Sequence, residues 1–286
     1  MTFEIVITSL VGIASAVAAS FVWERKIRDR VTAKRITSSD DEDINELIEL
    51  YIELFPDDTV DYSAEEVRGF FEMQENGNAM RHVKVDDIYL IAKFKGAVVG
   101  FMFCHYYSDR HKAIISYYGI DKKVLEARKS AAAVLLRTIE KLLSRKHKDC
   151  EYIFFDVARP GQQLPMEENR ERKARISRFM QSAKILGKKA YVFQMDYHSP
   201  KVSIAEETHE RPLVLMFIPL KENISTKISK YQVMSFISFI FLDCYGDIYR
   251  VDDPRFNKYR EHLTKQVEEF EMLLPEEVQL TYNASR

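Results

Sequence analysis

Apolar positions along this chain switch between a period of two and the helical period of roughly 3.6, and the switches mark out its elements. A short strand is expected over residues 31–36. Ile44, Leu47, Ile48, Tyr51, Ile52 and Phe55 then recur at helical spacing until Pro56, and the acidic run at 40–43 supplies N-cap and first-turn residues. A second amphipathic helix is expected over 63–75, opened by Ser63 with Glu66 three places on, a capping-box pattern. Two β runs, 88–94 and 97–106, flank Lys95-Gly96 as a hairpin does. A strand at 112–120, a helix from 128 to 143, a strand at 152–157 and a loop at 159–169 follow. A helix over 167–186 stops at Gly187. Late strands are expected at 190–195 and 213–218, joined by a polar stretch. The last third offers helical patterns at 227–245 and 255–273; its most apolar run, 233–242, is too short to cross a membrane. No internal repeat is visible.

The N-terminal stretch has a different pattern. No charged residue occurs from position 5 to 23, which is long enough to cross a bilayer core as a helix. Trp23 falls at interfacial height, and Arg25, Lys26, Arg28, Arg30, Lys34 and Arg35 follow, against only Glu24 and Asp29. The positive-inside rule puts that flank in the cytoplasm. The expectation is a membrane anchor with a juxtamembrane segment (residues 1–30) ahead of a cytoplasmic domain (residues 31–286). A cleaved signal peptide is the main rival, but no Lys or Arg precedes the apolar stretch. A buried helix is the third reading.

Composition adds limits. Hydrophobic residues make up 46% and charged residues 30%, so a packed core is expected and global disorder is not. A formal net charge of −2 gives no global attraction to nucleic acid. Cys104, Cys150 and Cys244 are too scattered for a metal or redox motif and read as buried, reduced thiols. His105, His111 and His198 lack ligand spacing, and no metal site is expected.

The chemistry concentrates between residues 114 and 143. An apolar strand ends in Tyr117-Tyr118-Gly119-Ile120-Asp121, and a helix begins at Arg128-Lys129-Ser130-Ala131-Ala132-Ala133. Small side chains at a helix mouth let an anion approach the free N–H groups of the first turn, where the helix dipole favours negative charge. A diphosphate is the obvious ligand.

The ordered set of elements, strand-helix-helix-hairpin-strand-helix-strand-helix-strand-strand, resembles the GNAT acetyltransferase superfamily. Individual segments are similar as well: 36–47 to its first strand and acidic helix start, 90–103 with Gly96 and Gly100 to its hairpin, and Tyr118-Gly119-Ile120-Asp121 to the end of its fourth strand. Arg128-x-x-Ala131-x-Ala133 lies where the family carries Gln/Arg-x-x-Gly-x-Gly/Ala. Arg175-x-x-Arg178-Phe179, Gly187, Asp196-Tyr197-x-x-Pro200 and 213–216 resemble one bacterial branch. The likeness spans residues 31–252, while no single motif in it is specific. Two departures stand out. Ala131 replaces the first motif glycine, and Met180 follows Phe179 where a Phe-Tyr pair, bearing the phenol for the leaving thiolate, is expected.

The resemblance implies an α/β (α+β) fold: a central mixed, mostly antiparallel sheet flanked by helices, here with an N-terminal hydrophobic helix and a C-terminal helical extension. It implies acetyl-CoA as co-substrate, a small-molecule or peptide amine as acceptor, and no metal. Gly119 and Ile120 would offer backbone groups to the pantetheine arm; Arg128, Lys129, Ser130, Ala131, Ala132 and Ala133 would hold the phosphates, chiefly through amides. Tyr117 and Tyr118 face opposite sides of the sheet; one would line the acceptor pocket or protonate the thiolate, the blander reading being core packing. Asp156 would be the general base, its apolar neighbours raising its pKa, with Glu126 second; the blander reading is a strand-end carboxylate. The basic face Arg170, Arg172, Lys173, Arg175 and Arg178 reads as solvated, with contact to a 3′-phosphate as the alternative. The function implied is N-acyl transfer by direct attack of the amine on the thioester. A silent acyl-CoA-binding domain and a tethered interaction protein without cofactor are the rivals.

Overall fold

The computed structural model describes residues 31–55, 63–75, 81–200, 211–221 and 224–282. The apolar stretch at 5–23 lies outside them; among the described residues no helix is long and apolar enough to cross a membrane. The elements in chain order are β1 (Val31–Ile36), α1 (Ile44–Leu54), α2 (Ala64–Glu75), β2 (Val85–Phe94), β3 (Ala97–Tyr107), β4 (Lys112–Ile120), α3 (Arg128–Lys146), β5 (Tyr152–Ala158), α4 (Met166–Ile185), β6 (Tyr191–Phe193), β7 (Tyr197–His198), β8 (Pro212–Pro219), β9 (Lys227–Ser229), α5 (Lys230–Ser238), α6 (Phe256–Leu273) and β10 (Glu277–Thr281). Through β8 this is the order the resemblance implies.

The strands form one mixed, mostly antiparallel sheet in the order β1-β2-β3-β4-β5-β8-β6-β10-β9, with β7 also on β8. Lys95 (φ 53°) and Gly96 (φ +92°) close the β2–β3 hairpin with positive φ at both positions, the geometry that matches the twist of a hairpin. Among the described residues only β4 and β5 pair in parallel, and only over Lys112–Ile114 against Tyr152–Phe154. Beyond that the two strands part, and the sheet splits.

Alternation along the strands sorts the core into two faces. One carries Leu90, Met102, Ile115 and Phe155 under α3 and α4. On the other, α1 and α2 cover Tyr89, Phe101 and Phe103, and the C-terminal helices cover Tyr107, Phe154 and Phe217. The split lies between those two coverings. Ser63 and Glu66 make the expected reciprocal cap, with the Ser63 N–H donating to Glu66 Oε2 at 2.6 Å and the Glu66 N–H to Ser63 Oγ at 3.3 Å. Before α1 the acidic run does less capping than expected. Asp41 and Asp43 each accept from Lys34 at 2.8 Å, and Asp43 makes no side-chain cap.

Three expected boundaries are corrected. Strand β2 begins at Val85, three residues early, because Asp86 and Asp87 enter the sheet with cationic partners rather than ending it. The run 190–195 holds one short strand, β6, and bends at Met195 before β7, beyond the run, also pairs with β8. The pattern at 227–245 is not one helix. It opens as β9, continues as α5 with a Ser229–Gln232 capping box, and passes into a π-helical turn (Phe239–Cys244) and a 3-10 turn (Tyr245–Asp247). Strand β10 was not expected; its alternation, with Val278 and Leu280 buried between exposed Glu277, Gln279 and Thr281, is short but legible.

Candidate functional site

A cavity of about 1640 Å³ runs along the split between β4 and β5. Helix α3 starts beside it, and its first backbone hydrogen bond runs from the Ala131 N–H to the Ala127 carbonyl at 2.7 Å. The amides of Arg128, Lys129 and Ser130 therefore stand ahead of the helical ladder. Arg128, Lys129 and Ala132 line the cavity. Ala131 does not. Its methyl is buried in the core below α3, so the residue that replaces the expected glycine serves packing. Ser130 and Ala133 are also off the cavity wall.

Cations gather at this mouth. Arg175 and Arg178, from the middle of α4, line the cavity with Arg128. Among the described residues neither Arg128 nor Arg178 has an ion-pair partner within 4.0 Å, whereas Arg172 on the same helix is taken by Glu168 at 2.6 Å. Partial burial, and next the charge of Arg128, pull the Arg178 guanidinium below its ordinary value. Like charges are thus held together, offset in part by Glu171, an arrangement that an anion would relieve.

The two tyrosines diverge as alternation requires. Tyr117 sits on the α1 face, edge-on to Tyr51 at 5.2 Å and Phe55 at 5.4 Å. Tyr118 sits on the α3/α4 face at 5.6 Å from Phe179. Its hydroxyl is buried with no hydrogen-bond partner among the described residues, and burial alone holds it well above the usual phenol range. It stays protonated, with an unused O–H on a cavity wall. The sequence offers no phenol after Phe179; strand β4 brings one to that residue from the other side.

Gly119 and Ile120 line the cavity. A Cβ at Gly119 would lie 2.7 Å from Leu54 Cδ1 and 2.8 Å from Phe101 Cε1. Glycine is thus required by the packing of α1 on the sheet, whatever its backbone does for a ligand. Asp156 is on the opposite face, beyond the last β4–β5 pair, and also lines the cavity. Burial, and then the Asp156 carboxylate, keep the Tyr197 hydroxyl well above the usual phenol range. Glu126, the second expected base, is exposed beside Lys95 at 3.8 Å and is not on the cavity wall.

Sequence reading missed the charged cluster on this second face. Arg81 pairs with Asp87 at 3.1 Å and with Asp247 at 3.1 Å. Asp87 in turn accepts from or bonds His105 Nδ1 at 2.6 Å, and His105 Nε2 lies 2.9 Å from Ser116 Oγ. Asp87 is fully buried, while Arg81, His105 and Ser116 line the cavity. Burial by itself would raise the Asp87 pKa; the His105 hydrogen bond and the charges of His105 and Arg81 outweigh it and hold the carboxyl below its ordinary range. The signal that could have found the cluster is register. Asp87 and His105 are direct cross-strand partners, and the β3–β4 register shifts between Phe103 and Cys104, leaving Ser116 as the extra residue of a bulge.

The cysteines take no part as nucleophiles. Burial pushes Cys150 up to about 12 and raises Cys104 and Cys244 well above the ordinary thiol value. No group of three or more His, Cys, Asp or Glu among the described residues is arranged to hold a metal ion.

No protein-family model matches the chain, and no curated protein matches it. Solved structures do. An N-acetyltransferase from Staphylococcus aureus Mu50 aligns at 13% identity and TM-score 0.43, over 67% of this chain and 99% of that one. A putative GNAT-family acetyltransferase from Bacteroides thetaiotaomicron aligns at 16% and 0.45, over 74% and 97%. An aminoglycoside 6′-N-acetyltransferase complexed with coenzyme A aligns at 12% and 0.44, over 68% and 99%. All three scores fall below 0.5, so the reading below rests on this chain's own geometry.

Proposed function

We propose that the chain is an acyl-CoA-dependent N-acyltransferase, with acetyl-CoA the donor to test first and an amine as acceptor. One observation carries this: an unpaired Arg128–Arg178 pair and a helix N-terminus converge on one end of a cavity that passes through a split sheet. The arginines and the amides of Arg128, Lys129 and Ser130 would take the phosphates. The open edge of β4 at Gly119 and Ile120 would pair with the pantetheine amides. The thioester would then lie in the split, between Tyr118 on one face and Asp156 on the other.

In this reading the amine attacks the thioester carbonyl directly, and Tyr118 donates its free O–H to the departing sulfur. The Asp156 carboxylate attracts the acceptor's ammonium group. Tyr117 packs the acceptor side as part of an aromatic wall. The chain contributes positioning and fixed donors above all.

Calorimetry of the full chain with CoA and with dephospho-CoA tests the mouth, and release of free thiol from acetyl-CoA in the presence of amines tests transfer. Binding without transfer would mark a silent acyl-CoA-binding domain. No binding of either nucleotide would leave a tethered interaction protein. The anchor at residues 5–23 belongs to the same proposal and rests on its uncharged stretch and basic flank; sedimentation of the full chain with membranes through an alkaline carbonate wash, compared with residues 31–286, tests it.

A further inference from the structure

The proton that the acceptor must lose has two possible destinations on the second face of the split. Asp156 is one, and the sequence favours it. The structure offers a better-organised one. His105 Nδ1 is 2.6 Å from Asp87 Oδ1, and His105 Nε2 is 2.9 Å from Ser116 Oγ. Asp87 is a fully buried carboxylate whose other oxygen is held by Arg81 at 3.1 Å. A carboxylate in that position only accepts, so Nδ1 carries a ring proton, and in the neutral ring it is the Nε2 lone pair that faces the serine. Ser116 is exposed in the cavity because the β4 bulge turns it out of the ladder. Its neighbour in sequence, Tyr117, opens the stretch of β4 that ends at Gly119 and Ile120. The hydroxyl therefore stands where β4 leaves β5, the place at which donor and acceptor would meet.

We propose that His105, oriented by Asp87 and reached through Ser116, is the proton acceptor for the attacking amine. This rests on the acyl-transfer reading of the cavity. The ammonium form of the acceptor gives one proton to Ser116 Oγ as the Ser116 O–H proton passes to His105 Nε2. The free amine then forms the N–C bond and the C–S bond breaks. A second proton passes from nitrogen to sulfur, with Tyr118 hydrogen-bonding the thiolate. The products are an amide, a free thiol and one proton released from His105 to solvent. Asp156 keeps an electrostatic part only.

An imidazole held at Nδ1 by a buried carboxylate presents Nε2 as the acceptor, an arrangement suited to a general base. The groups facing His105 are Asp87, Ser116 and the ring of Tyr89, edge-on at 6.0 Å, with Arg81 and Asp247 one contact further. Burying so complete a relay against an open serine is more than sheet packing asks for. A cross-strand Asp–His pair by itself would be satisfied without the bulge that delivers Ser116.

The test compares two nucleophiles on the full chain. Acetyl transfer from acetyl-CoA to n-propylamine, which is protonated at neutral pH, requires the base; transfer to hydroxylamine, which is largely unprotonated, does not. His105→Gln should slow the first about 100-fold, within the range for general base catalysis, and leave the second nearly unchanged. Ser116→Ala should give the same selective loss at smaller size, since water can take the place of the hydroxyl. CoA calorimetry on both variants and the parent chain separates the failures. Loss of CoA binding by the parent chain sinks the acyl-transfer reading and this inference with it. Intact CoA binding with equal losses for the two nucleophiles, with no loss, or with no transfer to either nucleophile overturns the relay alone. So does an acetyl group found on Ser116 by mass spectrometry after quenching, which would make the serine a nucleophile instead. Asp87→Asn is unsuitable as the main test because it also unpairs Arg81; the two milder variants avoid that.

Discussion

The two sides of the split between β4 and β5 hold charge in opposite ways. On the α3/α4 side, Arg128 and Arg178 line the cavity with no ion-pair partner among the described residues, and a helix begins beside them. On the other side Arg81 bridges Asp87 and Asp247, and Asp87 holds His105, so these charges match one another. The cationic mouth is built to receive a ligand and adds little to folding. A network closed around a buried carboxylate is part of the fold, although Arg81, His105, Ser116 and Asp247 also line the cavity. The first side should therefore respond to substitution in binding, the second in stability, and the places where that division fails would be the informative ones.

The largest expected effect is on the matched side. Removing Asp87 with Asp87→Ala leaves the largely buried Arg81 with Asp247 alone, strips His105 of its carboxylate, and should cost about 3 kcal/mol, read as a lowered urea midpoint at unchanged slope. The same carboxyl gives the network a pH dependence. Its folded pKa lies below the ordinary 3.8, so its contribution is whole above that value and is lost as pH falls through the depressed folded value. Acid unfolding of Asp87→Ala should accordingly be shallower than that of the parent chain. Full stability in Asp87→Ala would show that the network is not structural.

On the unmatched side the expected effect moves to affinity. Arg128→Ala with Arg178→Ala should leave the stability measured by urea unfolding within about 0.5 kcal/mol, as for surface changes away from special features. CoA binding should weaken by a factor on the order of 10–100, following about 1.5–3 kcal/mol for hydrogen bonds to charged groups. The loss should shrink at high salt. A double variant that binds CoA as tightly as the parent would remove the anion site from this mouth.

Gly119→Ala tests whether that glycine serves packing or ligand. The added methyl meets Leu54 and Phe101 closer than 3.0 Å, so a loss of about 1–3 kcal/mol in stability is expected from overpacking. If stability holds and CoA affinity falls instead, the glycine belongs to the pantetheine track.

How far the sequence could be read follows the same division. The cationic mouth was legible because its parts are local: a strand end, a short connection and a helix start lie within one continuous stretch, and periodicity places each of them. The matched side was not, because it is made by register. Continued without a break from Phe94 opposite Ala97, the hairpin would set Asp87 against Cys104; the irregularity between Ala92 and Lys93 moves it to His105. A second shift ejects Ser116 from β4. Single-residue bulges reassign cross-strand partners without any trace in hydrophobic pattern. Arg81 and Asp247 are brought in from segments far apart in the chain, and Asp247 ends a 3-10 turn that follows a π-helical turn hidden inside what reads as a continuous helix. Arg175 and Arg178 fall between the two cases. Their helix was plain, but an interleaved row of arginines and glutamates does not say which cations stay unpaired. Glu168 and Glu171 settle that by reaching Arg172 and Arg175 four residues on, at 2.6 and 3.9 Å, and leaving Arg178 to the cavity.

The smallest expected change in stability is the one that best separates the two sides. Tyr118 belongs to the ligand-facing half, yet its hydroxyl is buried and makes no hydrogen bond within the described residues. A buried polar atom without a partner costs folding free energy, so Tyr118→Phe should stabilise the chain by about 1 kcal/mol and raise the thermal midpoint. The ring contact with Phe179 at 5.6 Å is kept by phenylalanine, so no compensating loss of packing is expected. If the hydroxyl is reserved for the leaving sulfur, the same variant should lose about 10-fold or more in kcat for acetyl transfer while its affinity for CoA is unchanged. Stability and turnover would then move in opposite directions at one atom, which a residue retained for packing cannot do. A variant that gains stability and keeps full turnover would return Tyr118 to the core and leave the thiolate to take its proton from water.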